Sequence, residues 1–422
     1  MSFDEPKGRH PRRAARSPEF FSVDTNAGLA FRSVQRRDGS LGMSTVIDMA
    51  PGTRRPRDRF ERSWLRAPSP PPAASGPPVA IVDLFAGCGG LSLGASEACR
   101  ALGLSASHVL AVELDDNSAE VFGKNFPESN LCVRPIEELI NGEIGQAMTT
   151  KERKLRSRVG EVDLLVAGPP CQGHSDLNNH SRRDDPKNAL YLRALRFAEV
   201  TLPRHVVIEN VPGVAHDRLG VVQRSKARFA QLGYSVQTAI LNADAFGVPQ
   251  RRRRHVLVAS RGIDAPLNDL DLLQAPAQPV MWAIEDLGVA TSGAVFDSSA
   301  RHAAVNVRRI DYLFDNGLYD LPDTQRPDCH RLKPHSYRSV YGRMHPDRPA
   351  PTITAGFGST GQGRFVHPLE PRTLTPHEAA RVQGFPDFFD FSACRGRRAL
   401  QQMIGNAVPP RLAYALALTL LR

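Results

Sequence analysis

Two side chains of this sequence, the thiol of Cys171 and the carboxyl group of Glu209, have the chemistry needed for addition to an electron-poor ring. Cys171 lies in the run Gly168-Pro169-Pro170-Cys171-Gln172, directly after the apolar residues 162–167, and Glu209 follows the strand-like residues 205–208. Parallel strands bring such residues to the same carboxyl edge of a sheet, where α/β enzymes place their sites. A cysteine beside two prolines at a strand end is a poor candidate for an inert core residue. The pair therefore predicts a nucleophile with a nearby proton donor.

A glycine-rich turn predicts a cofactor site at the same edge. The run Asp83-Leu84-Phe85-Ala86-Gly87-Cys88-Gly89-Gly90 ends the first predicted strand and begins the first helix. Glycines let the backbone approach a ligand closely, and the amino end of a helix offers unpaired N–H groups to a carboxylate. Glu113 ends the second strand, where an acidic side chain commonly accepts hydrogen bonds from ribose hydroxyls. We therefore expect a nucleoside cofactor with a small anionic group, whereas the absence of GxGxxG disfavours a dehydrogenase.

A basic cluster and a polar loop complete the candidate site. The cluster Gln250-Arg251-Arg252-Arg253-Arg254 enters the last predicted strand, so Arg252 and Arg254 point to one face and are expected beside Cys171. Residues 175–188 are polar and directly follow the nucleophile, which suits a lid that closes over a substrate. A merely solvated patch and an idle surface loop are the alternative interpretations of these two segments.

Composition bounds the class of protein. The length of 422 residues predicts two folded parts and a tail. The net charge of +10 favours a polyanionic partner. The six cysteines form no CxxC pair, which argues against a zinc ribbon and a disulfide framework. The sequence contains neither a signal peptide nor eighteen consecutive apolar residues, so we expect a soluble cytosolic monomer. The spacing of His330, His335, His345, His367 and Cys329 matches no zinc pattern, and we predict no metal.

The order of apolar runs predicts an α/β fold, a doubly wound, mostly parallel, seven-stranded sheet with a smaller loop-rich domain. The predicted strands are Val79–Phe85, Val109–Glu113, Leu131–Val133, Val162–Ala167, His205–Glu209, Ser235–Leu241 and His255–Ser260. Residues 1–78, rich in Arg, Pro and Ser, are predicted to be a disordered basic arm. Residues 79–261, completed by 395–422, form the predicted catalytic domain, and 262–394 the recognition lobe with a return segment. A single apolar helix is expected over Arg398–Leu421.

Six motifs in order identify a family resemblance that spans about residues 79–422. Besides the turn at 83–90, they are Pro-Cys-Gln at 170–172, Glu-Asn-Val at 209–211, and Gln-x-Arg-x-Arg at 250, 252 and 254. Two further motifs follow. Residues 372–386 contain Arg-x-Leu-Thr and then Glu-Ala-Ala-Arg-Val-Gln-Gly-Phe-Pro, and residues 405–409 are Gly-Asn-Ala-Val-Pro. Any one motif could occur by chance, but six in this order are highly specific. The chain resembles DNA (cytosine-5) methyltransferases.

The resemblance implies a role for each matching residue. Cys171 would attack C6 of a flipped-out cytosine, Glu209 would hold a proton at N3, and Arg252 and Arg254 would steady the cysteine loop and the ring oxygen. The cofactor would be S-adenosyl-L-methionine, bound by Asp83, Phe85, Gly87, Gly89, Gly90, Glu113, Ile136, Pro169, Leu190, Asn406 and Val408. Double-stranded DNA would contact Ser175, Arg182, Gln250, Thr352, Arg338, Arg343 and Arg364. If residues 262–371 were replaced by the corresponding residues of a relative with another DNA target, the chain would be expected to recognise the relative's target.

Two departures and two further functions stay open at this point. Arg134-Pro135-Ile136 replaces the Asp-Ile that the family commonly has near the adenine amino group, and His174 stands where Phe is usual. RNA methylation on the same scaffold is one alternative function, and a catalytically silent DNA-binding regulator is another. The presence of Cys171, Glu209 and both arginines favours an enzyme. A bacterial restriction-modification or orphan methylation system, with a possible cognate endonuclease, is the expected setting.

Overall fold

The structure is a computed structural model that describes residues 17–170, 186–288, 294–332 and 339–422. Its strands are β1 (Glu19–Asp24), β2 (Leu29–Gln35), β3 (Leu41–Ile47), β4 (Pro78–Leu84), β5 (Ser105–Glu113), β6 (Leu131–Val133), β7 (Leu164–Ala167), β8 (His205–Asn210), β9 (Ser235–Asn242) and β10 (Arg253–Ser260). Its helices are α1 (Pro56–Leu65), α2 (Gly90–Ala101), α3 (Asp116–Asn125), α4 (Thr150–Val159), α5 (Leu190–Thr201), α6 (Val221–Gln231), α7 (Val280–Ile284), α8 (Ala304–Asp315), α9 (Asp328–Arg331), α10 (Pro376–Gln383), α11 (Arg397–Asn406) and α12 (Pro410–Leu421).

A seven-stranded sheet organises the catalytic domain. Its strand order is β6-β5-β4-β7-β8-β10-β9, and β10 runs antiparallel to both of its neighbours while the other pairs are parallel. The predicted fold class is confirmed, and all seven predicted strands are present with small shifts at their ends. These strands could be predicted from the sequence because strands that are covered by helices on both faces are continuous apolar runs.

Helices cover both faces of this sheet. Ile81 of β4 packs with α2 and α12 in one apolar cluster, whereas the adjacent Val82 packs with α4, α5 and α6 in another. Successive side chains of a strand point to opposite faces, so one strand contributes to both clusters. The arrangement is the doubly wound architecture in which ligands bind at the carboxyl edge of the sheet.

The carboxyl-terminal helical segment is two helices rather than the single one expected. Helix α11 ends at Asn406 and α12 begins at Pro410, because consecutive Pro409 and Pro410 lack the N–H groups that a continuous helix requires. Helix α12 then packs closely on α2, where a Cβ at Gly94 would overlap the backbone carbonyl of Pro410. This close contact returns the end of the chain to the first helix of the catalytic domain.

The prediction of a disordered arm over residues 1–78 is wrong for the part that the structure describes. Strands β1–β3 form an antiparallel sheet, and α1 packs on it; together residues 17–66 are called the N-terminal module here. The interior of the module holds a charged side chain, Arg32, which is 2% exposed. Because a buried arginine interrupts the apolar alternation of β2, the sequence suggested solvated chain where there is a strand.

The N-terminal module contacts both parts of the molecule. On the catalytic side, Arg32 Nη2 lies 2.5 Å from Glu97 Oε1 of α2 and stacks between the rings of Phe60 and Tyr414 at 4.9 and 4.6 Å. On the other side, the ring of Trp64 meets that of Phe388 at 5.9 Å. The module thus connects α2 and α12 to the return segment.

The return segment around α10 is held by two ionic networks. Thr375 and Glu378 form a capping box at the start of α10, and Arg372 donates to both oxygens of Glu378 at 2.7 Å. His377 lies 2.8 Å from Asp297 and 2.9 Å from Asp387, and Arg381 also pairs with Asp387. Burial alone would lower the pKa of His377, but its two carboxylate partners outweigh burial and raise that pKa.

Among the helices that the structure describes, none is long and apolar enough to cross a membrane.

Candidate active site and cofactor cleft

The strand register brings the predicted site segments to one edge of the sheet. Leu84 of β4 is paired with Ala167 of β7, and Ala167 is paired with Ile208 of β8. Phe85 and Gly168 follow these positions at the ends of their strands, and Glu209 follows as the last but one residue of β8, so the three lie side by side at the same edge of the sheet. A Cβ added to Gly168 would lie 4.0 Å from both Glu209 Oε2 and the Phe85 carbonyl oxygen. Cys171 follows three residues after Gly168 but lies outside the described residues.

Glu209 forms a buried ion pair with Arg254. Arg254 Nε lies 2.6 Å from Glu209 Oε1, and the two side chains are only 11% and 9% exposed. No hydrogen bond to Oε1 is aligned among the described residues, so the contact is chiefly electrostatic. Val256 is paired with Glu209 across β10 and β8, which explains why Arg254, two residues earlier, reaches the same end. The predicted neighbours Glu209 and Arg254 therefore do meet.

Asn210 belongs to the Glu-Asn-Val motif but was given no role of its own by the sequence, and in the structure it positions the segment that leads into Cys171. Its side chain is 1% exposed and donates from Nδ2 to the Pro169 carbonyl oxygen at 3.1 Å. Its Oδ1 accepts from the Val211 N–H at 2.8 Å. Asn210 therefore fixes the backbone two residues before Cys171 to the end of β8. The signal was available, since an amide beside the carboxyl group of Glu209 has both the donor and the acceptor that such bridging requires.

Gln250 and Arg252 hold the scaffold together rather than line an open surface. Gln250 is fully buried, donates to Gln383 Oε1 at 2.8 Å and accepts from the Ile353 N–H at 2.8 Å. Its predicted contact with DNA is wrong for this structure, because both ends of the amide are engaged inside the protein. Arg252 is 2% exposed and donates to the carbonyl oxygens of Ile353 at 2.8 Å and Gly405 at 3.2 Å.

The glycine-rich turn has the geometry that a close-fitting ligand requires. Phe85, Gly87 and Gly89 all have positive φ, at 59°, 55° and 101°. A non-glycine residue in this region is uncommon, so Phe85 is held by its surroundings. Helix α2 begins after Gly89 without a side-chain cap; the Ser92 N–H is taken by Asp83, so the N–H groups of Gly90 and Leu91 are the ones that could meet an anion.

Glu113 is fixed at the end of β5 by three backbone donors. Its Oε2 accepts from the Gly87 N–H at 2.7 Å, and its Oε1 accepts from the N–H groups of Leu114 and Asp115 at 2.8 Å. A carboxylate oxygen can accept a further hydrogen bond besides these. Glu113 is thus oriented beside the turn, as a residue that accepts from ribose hydroxyls has to be.

Asp83 supports the turn from beneath. It is fully buried and accepts a hydrogen bond from the Ser92 hydroxyl at 2.7 Å. Burial raises the pKa of Asp83 to about 7; the Ser92 bond opposes the shift, and nearby Glu113 adds to it. Because the side chain is inaccessible, we assign Asp83 to positioning the first turn of α2 rather than to direct cofactor contact.

The carboxyl-terminal motif closes the other side of the turn. A Cβ at Gly90 would overlap the Val408 carbonyl oxygen, so the two segments touch backbone to backbone. Asn406, two residues before Val408, ends α11 and is exposed. Ile136 is 3% exposed beside β6, and Leu190 is the first residue of α5. The assignment of these four residues to the cofactor stays a prediction.

The residues predicted to read DNA have varied surroundings. Arg343 stacks 4.0 Å from the centre of the Phe314 ring and donates to the Pro368 carbonyl oxygen at 2.7 Å. Arg364 donates to the carbonyl oxygens of Tyr319 at 2.8 Å and Arg343 at 2.9 Å. Both guanidinium groups therefore stabilise the predicted recognition lobe, and their contact with bases stays a prediction. Thr352 donates its hydroxyl to the Arg251 carbonyl oxygen at 2.7 Å beside the site. Three other predicted DNA contacts lie outside the described residues, namely Ser175, Arg182 and Arg338. His174, which departs from the family pattern, also lies outside them.

Within the described part of the chain, no group of three or more His, Cys, Asp or Glu side chains could hold a metal ion.

Comparison with known proteins identifies the family. Residues 79–422 match the family described as C-5 cytosine-specific DNA methylase. The chain is similar to the Type II methyltransferase M1.BsuMI of Bacillus subtilis (strain 168), with 48% identity over 93% of this chain and 92% of that relative. It is also similar to the Type II methyltransferase M.DdeI of Desulfomicrobium norvegicum, with 30% identity over 80% of this chain and 87% of that relative. The first similarity covers more of the chain than residues 79–422 contain, so it extends into the preceding segment.

Solved structures agree on the fold. The Entamoeba histolytica methyltransferase EhMeth is similar with a TM-score of 0.55 and 16% identity, over 81% of this chain and 97% of that one. The S. pombe Dnmt2 methyltransferase is similar with a TM-score of 0.53 and 16% identity, over 81% and 98%. The family match and the two bacterial relatives show that the chain belongs to the C-5 cytosine-specific DNA methylase family and is a DNA (cytosine-5) methyltransferase.

Proposed function

We propose that the protein methylates C5 of cytosine in a specific double-stranded DNA sequence, using S-adenosyl-L-methionine as the methyl donor. The observation that carries this proposal is the buried pair of Glu209 and Arg254 at the strand end beside Gly168 and Pro169, which lead directly into Cys171. A thiol and a carboxyl group side by side supply the two functions that addition to a cytosine ring requires.

The glycine-rich turn supports this choice of cofactor. Glu113 would accept hydrogen bonds from the ribose hydroxyls, and the uncapped amino end of α2 would receive the methionine carboxylate. The turn has no GxGxxG run for a pyrophosphate, which fits a nucleoside cofactor with one small anionic group. When bound, S-adenosyl-L-methionine supplies an electrophilic methyl group on a sulfonium centre.

The chain's own residues would prepare cytosine to accept that methyl group. The Cys171 thiolate forms a bond to C6, and the ring electrons move toward N3, which takes up a proton from the carboxylic acid form of Glu209. In that form Arg254 donates a hydrogen bond to the carboxyl group instead of pairing with an anion. C5 thereby gains carbanion character, which unmodified cytosine lacks. After C5 is methylated, a base removes the C5 proton, the C5–C6 double bond re-forms and the Cys171–C6 bond breaks, so the thiolate is regenerated. N3 returns its proton to Glu209 in the same stage. Because both faces of a stacked base are covered, the cytosine must leave the helix stack first.

Arg254 and Asn210 would act on this chemistry through position. Arg254 holds the Glu209 carboxyl group at the end of β8, and Asn210 holds the Pro169 carbonyl two residues before the nucleophile. Both side chains are largely buried, so the geometry is set before DNA arrives. Preorganised groups of this kind contribute to catalysis because they need no rearrangement during the reaction.

Target choice is assigned in this proposal to the recognition lobe within residues 262–371, with a restriction-modification system as the setting. Both bacterial relatives are named Type II methyltransferases, which supports that setting and a cognate endonuclease. Exchange of residues 262–371 with those of a relative of different specificity should transfer the relative's target. Retention of the original target by the chimera would place recognition outside this lobe.

A covalent-trapping experiment tests the proposal. Bisulfite sequencing of plasmid from an expressing host first identifies the methylated cytosines. A duplex with 5-fluorocytosine at that position should then form a protein adduct that survives denaturation, because fluorine at C5 cannot leave as a proton does. The adduct should require the methyl donor and should vanish in Cys171→Ser, while Cys329→Ser, at an exposed cysteine, serves as the matched thiol control. Adduct formation by Cys171→Ser at the wild-type level would refute the proposed nucleophile.

A further inference from the structure

The outward side of the N-terminal sheet is an apolar surface that no other part of the described chain covers. The strand register places Phe20, Ser33 and Met43 in one cross-strand row and Asp24, Leu29 and Ile47 in another. Neighbouring rows on the same side are formed by Ser22, Phe31 and Thr45, and by Gln35 with Leu41. These eleven side chains are called the outer face.

The two sides of this sheet differ in what covers them. On the inner side, Ala30, Arg32 and Val34 are buried beneath α1, α2 and α12. On the outer face, Phe20 is 52% exposed, Leu41 63%, Met43 62% and Ile47 62%. The contrast follows from the two-residue period of a strand, which gives each side its own environment.

The outer face has almost no charge to favour solvation. Asp24, at the end of β1, is its one charged residue, whereas 23% of the whole chain is charged. Single exposed apolar residues are common on protein surfaces, but contiguous apolar patches usually mark interaction sites. Leu41, Phe20 and Met43 lie in two adjacent rows, and the half-buried Phe31 in the next row connects them to Ile47, so the large apolar side chains form a contiguous patch.

The size of the outer face suits a modest symmetric interface. Phe20 exposes about 100 Å², given about 150–250 Å² for an aromatic side chain, and the three aliphatic side chains, which are smaller but more exposed, each leave a similar area of about 100 Å². With the half-buried Leu29 and Phe31, one copy offers about 500 Å², so two copies would bury about 1,000 Å² in total, the lower limit for a specific interface. A surface with a single charged residue, at its end, can also face a copy of itself under two-fold symmetry with little repulsion between like charges.

We propose that the outer face pairs with the outer face of a second copy of this chain, sheet against sheet, to form a dimer. The chain's own residues 1–16 are a poor alternative cover, because they contain five Lys and Arg residues and few large apolar ones. This inference replaces the expectation of a monomer that the sequence suggested.

The proposed interface leaves the active site open. A Cβ at Gly42 of β3 would overlap backbone atoms of Ala101 and Leu102, so the module sits on the carboxyl end of α2. The cofactor turn lies at the opposite end of the same helix, around Gly89 and Gly90. Helix α2 has 12 residues and is about 18 Å long at 1.5 Å per residue, which separates the dimer face from the turn.

Sedimentation equilibrium of the full chain tests this proposal. Protein concentrations of about 1 to 100 µM are used, because an interface of this small size should associate weakly. The mass should rise with concentration toward twice the 46.2 kDa of one chain. The double variant Met43→Lys, Ile47→Lys should need at least about tenfold more protein to associate, since two buried unpaired charges oppose pairing. Ile240→Lys on β9, where Ile240 is 47% exposed, is the matched control and should associate like the wild type. Methyl transfer by each variant confirms that it is folded.

Three results would overturn the proposal. A wild-type chain that stays monomeric at 100 µM has no such interface. A dimer that persists unchanged in the double variant uses another surface. If only a chain lacking residues 1–16 associates, those residues cover the outer face in the full protein.

Discussion

Replacement of Arg32 by methionine tests whether the N-terminal module is an integral part of the enzyme. The Arg32 guanidinium pairs with Glu97 at 2.5 Å, donates from Nε to the Ser44 hydroxyl at 3.2 Å and stacks between Phe60 and Tyr414. Methionine keeps much of the apolar side-chain volume but removes all of these polar interactions. The substitution therefore isolates the charge that joins the module to α2 and α12.

The expected cost follows from what each partner loses. Breaking a buried ion pair costs about 3–5 kcal/mol when the remaining charge has no partner, but Glu97 keeps Arg100 at 2.7 Å, so about half of that cost is expected here. Burial would raise the pKa of Glu97, yet Arg100 and Arg32 together lower it to about 2, which shows how strongly the site favours the carboxylate. The two cation–π contacts add about 1 kcal/mol each. The total is about 3–5 kcal/mol of unfolding free energy.

The two tryptophans of the chain make the assay specific. Trp64 and Trp282 both lie where the module meets the return segment, and Arg62 stacks 5.7 Å from the Trp282 ring. Urea unfolding followed by tryptophan fluorescence reports this junction, and far-UV circular dichroism reports the whole chain. Both transitions should shift together in Arg32→Met, whereas the exposed control Arg54→Met should change stability by less than about 0.5 kcal/mol. A shift below 1 kcal/mol, or a shift confined to the fluorescence transition, would refute the reasoning.

Three further outcomes are expected. Gly90→Ala should lower the melting temperature and weaken cofactor binding in calorimetric titration, because the added methyl group would meet the Val408 carbonyl oxygen. Overpacking of this kind costs about 1–3 kcal/mol. An unaltered cofactor affinity would contradict the close approach of these two segments. His377→Gln should remove a pH-dependent part of stability: the folded pKa is raised, so this stabilisation is complete below the ordinary value of 6.5 and is lost as the pH rises through the folded value. Melting curves from pH 5 to 9 check it, and equal pH slopes in the two proteins would count against it. Glu209→Gln should reduce turnover by about 10²–10⁴-fold while cofactor affinity is retained, and unchanged turnover at saturating cofactor would assign the proton to another group.

The catalytic domain could be predicted from the sequence because local pattern and global fold agree there. Strand β4 and its partners are apolar on both sides, and each ends in a turn residue such as Gly87 or Gly168, so strand ends and site segments coincide. Parallel strand order then places Glu209 beside the cysteine-bearing segment without further information. The meeting of Glu209 with Arg254 follows from the same register.

The N-terminal module could not be predicted in this way because its strands depend on distant partners. Arg32 occupies an inward position of β2 that a sequence pattern assigns to an apolar residue, and its partner Glu97 is 65 positions away. The outer face of β3 has the reverse anomaly, with Leu41, Met43 and Ile47 exposed. Both departures invert the usual alternation, so the pattern resembled irregular chain.

Gln250 shows why a motif position need not be a contact position. Its place before Arg252 and Arg254 suggested a surface role, but its amide joins Gln383 to the backbone of Ile353. An amide with a donor and an acceptor can satisfy two buried segments at once, and only the return of the chain from the second lobe brings those segments together. This information lies in the tertiary structure.

The most direct test of the account is the chemical identity of the modified nucleoside. Unmethylated duplex plasmid and a matched RNA are each incubated with the purified full chain and S-adenosyl-L-methionine that carries a labelled methyl group, and the products are digested to nucleosides for mass spectrometry. The account predicts labelled 5-methyldeoxycytidine from the duplex, none from the RNA, and none from either substrate with Cys171→Ser. Label on N4 of cytosine, on adenine or mainly on the RNA would contradict it.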